Sequence, residues 1–291
     1  MASESVQSRH RKAYLKYVRL TGRFVVTAVF WGIGIIMVFP FLWMLSSSFK
    51  DTFTMFNYPI EWIPKVWNFN NYEKVWLKNV NFALYYWNSI KVTFFGLLGT
   101  LISCTAAGYA YSKIKFKGRN ALFFMKLMTT MIPAQATILP TYVIYSTLRL
   151  TNTHTALWLT YALGGAFGVF LMRQNFMSMP TELIDAAKID GANHPGILVR
   201  IAAPLSKPSI ATLMFIYFIW IWNDYEKPLY FIRTRDMYTL QLATKLFQDD
   251  QFQDYAAIMA ASVSVVAPII ILFFLAQKYF IQSVTSAGIK G

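Results

Sequence analysis

Residues 24–49 read FVVTAVFWGIGIIMVFPFLWMLSSSF, a stretch of 26 residues with no charged side chain. An α-helix rises about 1.5 Å per residue and the hydrocarbon core of a bilayer is about 30 Å thick, so roughly 20 such residues form one crossing. Similar apolar stretches recur along the chain. Together they predict six transmembrane helices, at about residues 24–47, 90–112, 122–147, 153–172, 206–225 and 255–277.

The composition requires lipid as a solvent. Hydrophobic residues make up 56% of the 291 residues and charged residues only 14%, which is more apolar surface than one soluble core of this size can bury. The predicted fold class is therefore an all-α, polytopic membrane protein. The fifth predicted helix has the shortest charge-free stretch, residues 208–223, and it needs the Lys207 side chain to extend to the interface.

The net charge of +14 reflects membrane topology rather than nucleic-acid binding, because the basic residues form short clusters between apolar stretches. Segment 1–23 is basic, and Lys and Arg in short loops resist translocation, so the amino terminus is predicted to be cytoplasmic. The cluster of residues 113–119 and the tail, residues 278–291, fall on the same side. At 26 residues, the first apolar stretch exceeds the core of a cleaved signal peptide, which is about 7–15 residues long.

The loop of residues 173–207, predicted to be cytoplasmic, reads as two short helices around a turn. Ser178 or Thr181 can cap the first helix, and Gly191 can take the left-handed conformation that ends it. Asn193 can cap the second helix. Such a unit is compact enough to fit a groove on a partner protein.

The 173–207 loop resembles the EAA loop of ABC importer permeases, whose pattern is Glu-Ala-Ala, a glycine four residues later and a proline further on. The corresponding residues are Asp185, Ala186, Ala187, Gly191 and Pro204, with Asp185 in place of the usual glutamate. Other segments resemble the maltose-type permeases of the carbohydrate-uptake family: MIPAQATILP (131–140), FLMRQNF (170–176), WNDY (222–225) and TSAGIKG (285–291). The resemblance extends from about residue 88 to the end.

The resemblance implies a type I ABC importer permease fold in the cell membrane, plasma or inner, of a prokaryote. It also implies partners, which are a second homologous permease, two cytoplasmic ATPase subunits and an external solute-binding protein that delivers a sugar or oligosaccharide. ATP and magnesium would bind the ATPase, and this chain would bind no cofactor. The residues expected to couple the chain to the ATPase are Glu182, Asp185, Ala186, Ala187, Asp190, Gly191, Ala192 and Pro204.

Polar side chains in predicted spans are candidates for the translocation pathway, because such groups are costly in lipid. They are Gln135, Asn223 and Asp224, and hydrogen bonding between helices explains them equally well. The chain lacks the Gly-x-x-x-x-Gly-Lys-Ser/Thr loop that cradles phosphates, and its histidines lack metal-ligand spacing. We therefore expect a non-catalytic subunit with no metal site.

Two alternatives remain open at this level. A secondary transporter driven by an ion gradient would work without an ATPase, and such proteins usually show internal repeats and broken helices with charged residues near mid-membrane. No repeat is found in this sequence. An ABC permease for a non-sugar solute would share the topology, and the resemblances in residues 131–140, 222–225 and 285–291 favour carbohydrate over it.

Overall fold

The computed structural model describes the backbone of residues 2–78, 81–247 and 254–288, and the side chains of residues 21–77, 81–246 and 254–278. These residues are mostly helical, and no β-strand occurs among them. The α-helices run in the order α1 Ala2–Ser47, α2 Asn70–Glu73, α3 Phe82–Lys113, α4 Arg119–Met128, α5 Ala134–Thr147, α6 His154–Ala162, α7 Ala166–Met177, α8 Thr181–Ile189, α9 His194–Ile197, α10 Ala203–Leu205, α11 Lys207–Trp222, α12 Glu226–Phe231, α13 Leu240–Ala243 and α14 Tyr255–Gly288.

Four helical units in the described part of the chain are long and apolar enough to cross a membrane by themselves. They are Thr21–Ser47, Phe82–Lys113, His154–Met177 and Tyr255–Lys278. Two further units are helix pairs bent at a short break, Arg119–Met131 with Ala134–Thr147 by 103° and His194–Leu205 with Lys207–Trp222 by 85°. The described chain thus has four to six candidate crossings. The count of six and the cytoplasmic position of both termini remain predictions.

The bend within residues 122–147 interrupts a stretch that the sequence predicted as one helix. A short 3₁₀ turn, Thr129–Met131, leads to Pro133, whose backbone lies at φ −56° and ψ 135°. Proline has no N–H to donate, and its ring disfavours a helical conformation at the preceding residue, Ile132. A second break separates α6 from α7, where Gly164 takes φ +78°, a conformation that favours glycine.

The centre of the fold is the packing of α3 against α6 and α7. Small residues let these helices approach closely, as lipid-embedded helices often require. A Cβ atom added to Gly108 of α3 would lie 2.6 Å from Met172 Cβ, and one added to Gly168 of α7 would lie 2.6 Å from Cys104 Sγ. Gly168 and the buried Cys104 are therefore packing residues between α3 and α7.

Helix α1 is different, since its apolar stretch is almost entirely uncovered. It packs against α14, yet none of the most apolar window of Thr21–Ser47 is buried. Phe24 is 75% and Ile36 is 73% exposed. In a membrane, such a surface faces lipid or another membrane chain.

At the end of the bundle away from the 173–207 loop, the segment after α1 is fixed to α2 and α14. The buried Asn71 side chain donates hydrogen bonds to the carbonyls of Ser48 (2.9 Å) and Lys50 (2.7 Å). Asp254, just before α14, accepts hydrogen bonds from Thr52 Oγ1 and, at 2.9 Å, from Lys74 Nζ. We call this the far end of the molecule.

Candidate functional site

The first helix of the 173–207 loop is α8. Pro180 occupies its N-cap position and no side chain caps it, so the predicted capping by Ser178 or Thr181 is wrong. Ser178 instead hydrogen-bonds back to the end of α7. Glu182 lies in the first turn, where a carboxylate complements the positive end of the helix dipole.

The turn after α8 is a Schellman motif. The Gly191 N–H donates to the Lys188 carbonyl at 3.0 Å, and the Ala192 N–H donates to the Ala187 carbonyl at 2.9 Å. Gly191 itself takes φ +80°, so its predicted left-handed conformation is confirmed. A residue with a Cβ atom is strained there, and a β-branched one most of all.

The second short helix, α9, begins at the predicted cap. The Asn193 Oδ1 atom accepts a hydrogen bond from the Gly196 N–H at 2.9 Å, and Pro195 sits in the first turn. A π-helical stretch, Leu198–Ala202, and α10 then carry the chain to Lys207, where α11 begins.

Helix α8 has a buried side and an exposed side. Ile184 and Ala187 are buried against the body of the protein, whereas Ala186 is exposed. Ala187 therefore anchors α8 instead of reaching the surface. Among apolar side chains of the loop, Ile189 is 87% and Val199 is 68% exposed, so the loop offers apolar as well as polar surface.

The polar surface of the 173–207 loop is acidic on α8 and in the turn after it. The side chains of Glu182, Asp185 and Asp190 are all exposed. The Asp185 carboxylate lies 3.5 Å from Lys188 Nζ, but both groups face solvent, which weakens the pair. These carboxylates are therefore accessible to basic groups of another protein.

Three side-chain contacts join the loop to the end of α3, and one of them comes from its first residue, where Arg173 Nε donates to the Tyr111 carbonyl at 3.2 Å. The other two lie at the loop helices. Lys113 Nζ donates to the Met179 carbonyl at 2.7 Å, just before α8. The Tyr109 hydroxyl lies 3.2 Å from His194 Nδ1, at the start of α9. These last two contacts hold the beginnings of both loop helices against α3.

The three pathway candidates lie in the first turn of α5 and in the turn between α11 and α12, and α12 packs against α5. Gln135 Nε2, in the first turn of α5, donates to Glu226 Oε1 at 3.4 Å. Asn223 Oδ1, directly after α11, accepts a hydrogen bond from Gln241 Nε2 at 2.9 Å. Asp224 lies in the turn between Asn223 and Glu226, which each belong to one of these pairs.

Asp224 belongs to a compact network of its own. Its Oδ2 atom accepts hydrogen bonds from the Tyr161 hydroxyl at 2.9 Å and from Lys227 Nζ at 3.0 Å. Its Oδ1 atom accepts one from the Lys227 backbone N–H at 3.2 Å. The Asp224 side chain is only 11% exposed, so the network ties α6 to the turn between α11 and α12.

Four members of this polar region, Tyr161, Glu226, Lys227 and Gln241, were not found by sequence reasoning. The last three follow the end of the charge-free stretch at Asn223, and they lie between or at the edge of the predicted helices 206–225 and 255–277. In the structure α12 packs against α5 and α6, which brings the charged residues after α11 back to the helices. Hydropathy does not predict this packing, because it depends on contacts between segments that are distant in the sequence.

The described residues contain no group of three His, Cys, Asp or Glu side chains placed to hold a metal ion. The side chains of the terminal basic and tail residues lie outside the described part of the chain. The resemblance to ABC importer permeases also implies that residues 286–291 contact an ATPase, and this remains a prediction.

Comparison with known proteins agrees with this architecture. The family model of the binding-protein-dependent transport system inner membrane component matches residues 99–286. The arabinooligosaccharides transport system permease protein AraQ of Halalkalibacterium halodurans is 32% identical over 92% of this chain and 96% of that protein. The galactooligosaccharides transport system permease protein GanQ of Bacillus subtilis is 30% identical over 95% of this chain and 97% of that protein.

A solved structure points the same way. A chain of a bacterial ABC transporter that imports the acidic polysaccharide alginate superposes with a TM-score of 0.78 at 27% identity, covering 90% of this chain and 97% of that chain. The family predicted from the 173–207 loop is thereby confirmed. The chain belongs to the binding-protein-dependent transport system inner membrane components, and it is a multi-pass, non-catalytic permease subunit of the type I ABC importer fold.

Proposed function

We propose that this permease subunit forms half of the translocation pathway for a sugar or oligosaccharide that an external binding protein delivers. The observation that carries the sugar assignment is the agreement among relatives. Permeases named for arabinooligosaccharides, galactooligosaccharides and melibiose, raffinose and stachyose are 30–32% identical to it over most of the chain. The polar region at Gln135, Asn223 and Asp224 would lie along the pathway.

The 173–207 loop is the proposed point of ATPase attachment, with both chain termini on the same, cytoplasmic, side. Its exposed carboxylates and the exposed side chains of Ala186 and Ile189 are suited to a groove with basic groups at its rim. The Schellman turn at Gly191 fixes the angle between α8 and α9. ATP and magnesium would bind two ATPase subunits, and a second homologous permease would complete the membrane part.

A substitution at Gly191 tests this coupling. Gly191→Val places a β-branched residue at φ +80°, which costs roughly 1–2 kcal/mol and distorts the turn. We expect sugar uptake to fall at least tenfold while ATP hydrolysis by the complex persists without stimulation by the loaded binding protein. Uptake by cells and ATPase activity of the purified complex measure the two effects.

Gly118→Val is the matched control. Gly118 also takes φ +80° and, like Gly191, has no atom within 4 Å of an added Cβ, but it lies outside the 173–207 loop. The same backbone strain should leave coupling intact there. Normal uptake in Gly191→Val, or equal loss in both variants, would contradict the coupling role.

Measuring uptake together with ATP hydrolysis also separates the proposed function from the two alternatives, a secondary transporter and a permease for a non-sugar solute. Broken helices, a feature typical of secondary transporters, do occur in this chain, at Pro133 and Gly164. An ion-driven transporter would nevertheless take up substrate without any ATPase subunit. A permease for a non-sugar solute would keep ATPase coupling but respond to a different loaded binding protein.

A further inference from the structure

We propose that this subunit binds the hydroxyl groups of a neutral oligosaccharide directly, through a polar set made of Gln135, Asn223, Glu226 and Gln241. The inference rests on the proposed import of a sugar and names where this chain touches it. The set joins three amides and one carboxylate from four separate segments of the chain, α5, the end of α11, α12 and α13.

Two contacts place the polar set alongside long helices, although Asn223 directly follows α11 and Gln241 belongs to the short helix α13. Tyr161, which donates to Asp224 at 2.9 Å, is seven residues into α6, about 10 Å from the start of that helix. Gln135 is twelve residues before the end of α5, about 18 Å away. If these helices cross the membrane as proposed, the polar set is at the depth of the hydrocarbon core.

Polar side chains of the set are exposed at that depth. Gln135, Asn223 and Glu226 are all exposed. Amide and carboxylate groups facing lipid are costly, and such groups in membrane proteins face the bundle interior or a water-filled cavity. The surface of the polar set is therefore suited to an aqueous pathway and to a hydrogen-bonding solute in it.

The chemistry of the polar set matches a polyol. Primary amides carry both donors and acceptors, and the Glu226 carboxylate accepts hydrogen bonds from hydroxyl groups. Trp220, three residues before Asn223 and hence on the same side of α11, is 44% exposed and can pack against the apolar face of a sugar ring. A few polar groups beside an aromatic surface are typical of small-molecule sites.

The charges near the set favour a neutral solute. Lys227 is engaged by Asp224 at 3.0 Å and by the Tyr161 hydroxyl at 2.8 Å. Lys245 Nζ lies over the Tyr225 ring, 5.1 Å from its centroid. Glu226 lies in no ion pair with a described side chain, so its carboxylate repels an acidic sugar.

Asp224 then has a positioning role rather than a contact role. Its carboxylate is enclosed by Tyr161 and Lys227 and holds the turn that carries Asn223 and Glu226 on either side. This network fixes the spacing of the two hydrogen-bonded pairs, Gln135 with Glu226 and Asn223 with Gln241.

Uptake by single-site variants tests the proposal. In the complete transporter, uptake of labelled arabinotriose, galactotriose and raffinose is measured below saturation for Gln135→Ala, Asn223→Ala, Glu226→Gln and Gln241→Ala. Loss of one hydrogen bond to the sugar predicts a fall of about 2- to 10-fold for a transported probe. Thr147→Ala is the control, because Thr147 is exposed on α5 but bonds its own helix backbone at 2.9 Å.

The proposal also predicts protection from a thiol reagent. Cys104 is the only cysteine and is buried, so Asn223→Cys introduces a single accessible thiol. A membrane-impermeant maleimide should label this thiol in the assembled complex, and the transported neutral sugar should slow the labelling several-fold. An alginate trisaccharide should not slow it.

Two results would overturn the proposal while leaving coupled import intact. In one, all four variants transport like the wild type while binding-protein-stimulated ATP hydrolysis is normal. In the other, the variants lose the co-purifying second permease, which would make the polar set a subunit interface. Failure of the proposed function itself is distinguishable, because the unmodified complex would then show no stimulated ATP hydrolysis.

Discussion

At the scale of single residues, buried or strained positions carry most of the structural information. Asp254 at the far end is partly buried, with 31% of its side chain exposed. Burial opposes its ionisation, but hydrogen bonds from Thr52, Lys74 and the Ala257 N–H outweigh burial and lower the pKa of the carboxyl. The ionised side chain therefore stabilises the contact between the segment after α1 and the start of α14.

This contact predicts a dependence on pH. A carboxyl group whose pKa is lower in the folded state stabilises it above the pKa of the unfolded chain, about 3.9, and this contribution is lost as pH falls through the folded value. We expect limited proteolysis within residues 50–69 to accelerate at acid pH in the wild type. Asp254→Asn should show the acceleration already at pH 7, because it removes the charge that binds Lys74.

Asp51→Asn is the control for this measurement. The Asp51 carboxylate accepts a hydrogen bond from the nearby Phe53 N–H but is exposed and makes no described contact with α14. Its variant should be cleaved like the wild type at pH 7. Equal cleavage of the Asp254→Asn variant and the wild type at pH 7 would show that Asp254 does not hold the segment.

At the scale of elements, α3 is the link between the 173–207 loop and the centre of the fold. It packs closely against α7 through Gly108, and its last turns hold the loop through Tyr109 and Lys113. We therefore expect a displacement of α8 to reach α3, which packs against α6, α7 and α11. Closely packed interiors transmit such displacements because they deform little.

The link predicts a defined phenotype for Tyr109→Phe combined with Lys113→Ala. Removing both hydrogen bonds should loosen the loop without unfolding it, at a cost of about 1–3 kcal/mol. We expect the ATPase to co-purify normally, while the number of sugars imported per ATP hydrolysed falls several-fold. Lys126→Ala is a suitable control, since Lys126 also lies in the last turn of a helix but makes no described contact with the loop.

An unchanged ratio of sugar import to ATP hydrolysis in the double variant would exclude α3 as the link. Loss of ATPase binding would place the two side chains in the docking surface instead.

At the scale of the whole molecule, much of the organisation follows from the sequence and part of it does not. Long apolar stretches place the helices around residues 24–47, 90–112 and 255–277, and the turn chemistry of Gly191 and Asn193 predicts the loop. The breaks at Pro133 and Gly164 were missed because hydropathy averages over them. The polar region was found only in part, because α12 brings Glu226 and Lys227 back to α5 and α6 through tertiary packing.

The central claim is that the 173–207 loop docks on an ATPase in the cytoplasm, and cysteine cross-linking tests it most directly. Ala186→Cys adds one exposed thiol to α8 in a chain whose only cysteine is buried. A short bifunctional reagent should join it to the ATPase subunit in native membranes, whereas Thr147→Cys, on an exposed position of α5, should give no such product. Labelling of Ala186→Cys only by reagents added outside the cell, with no cross-linked ATPase, would contradict the account.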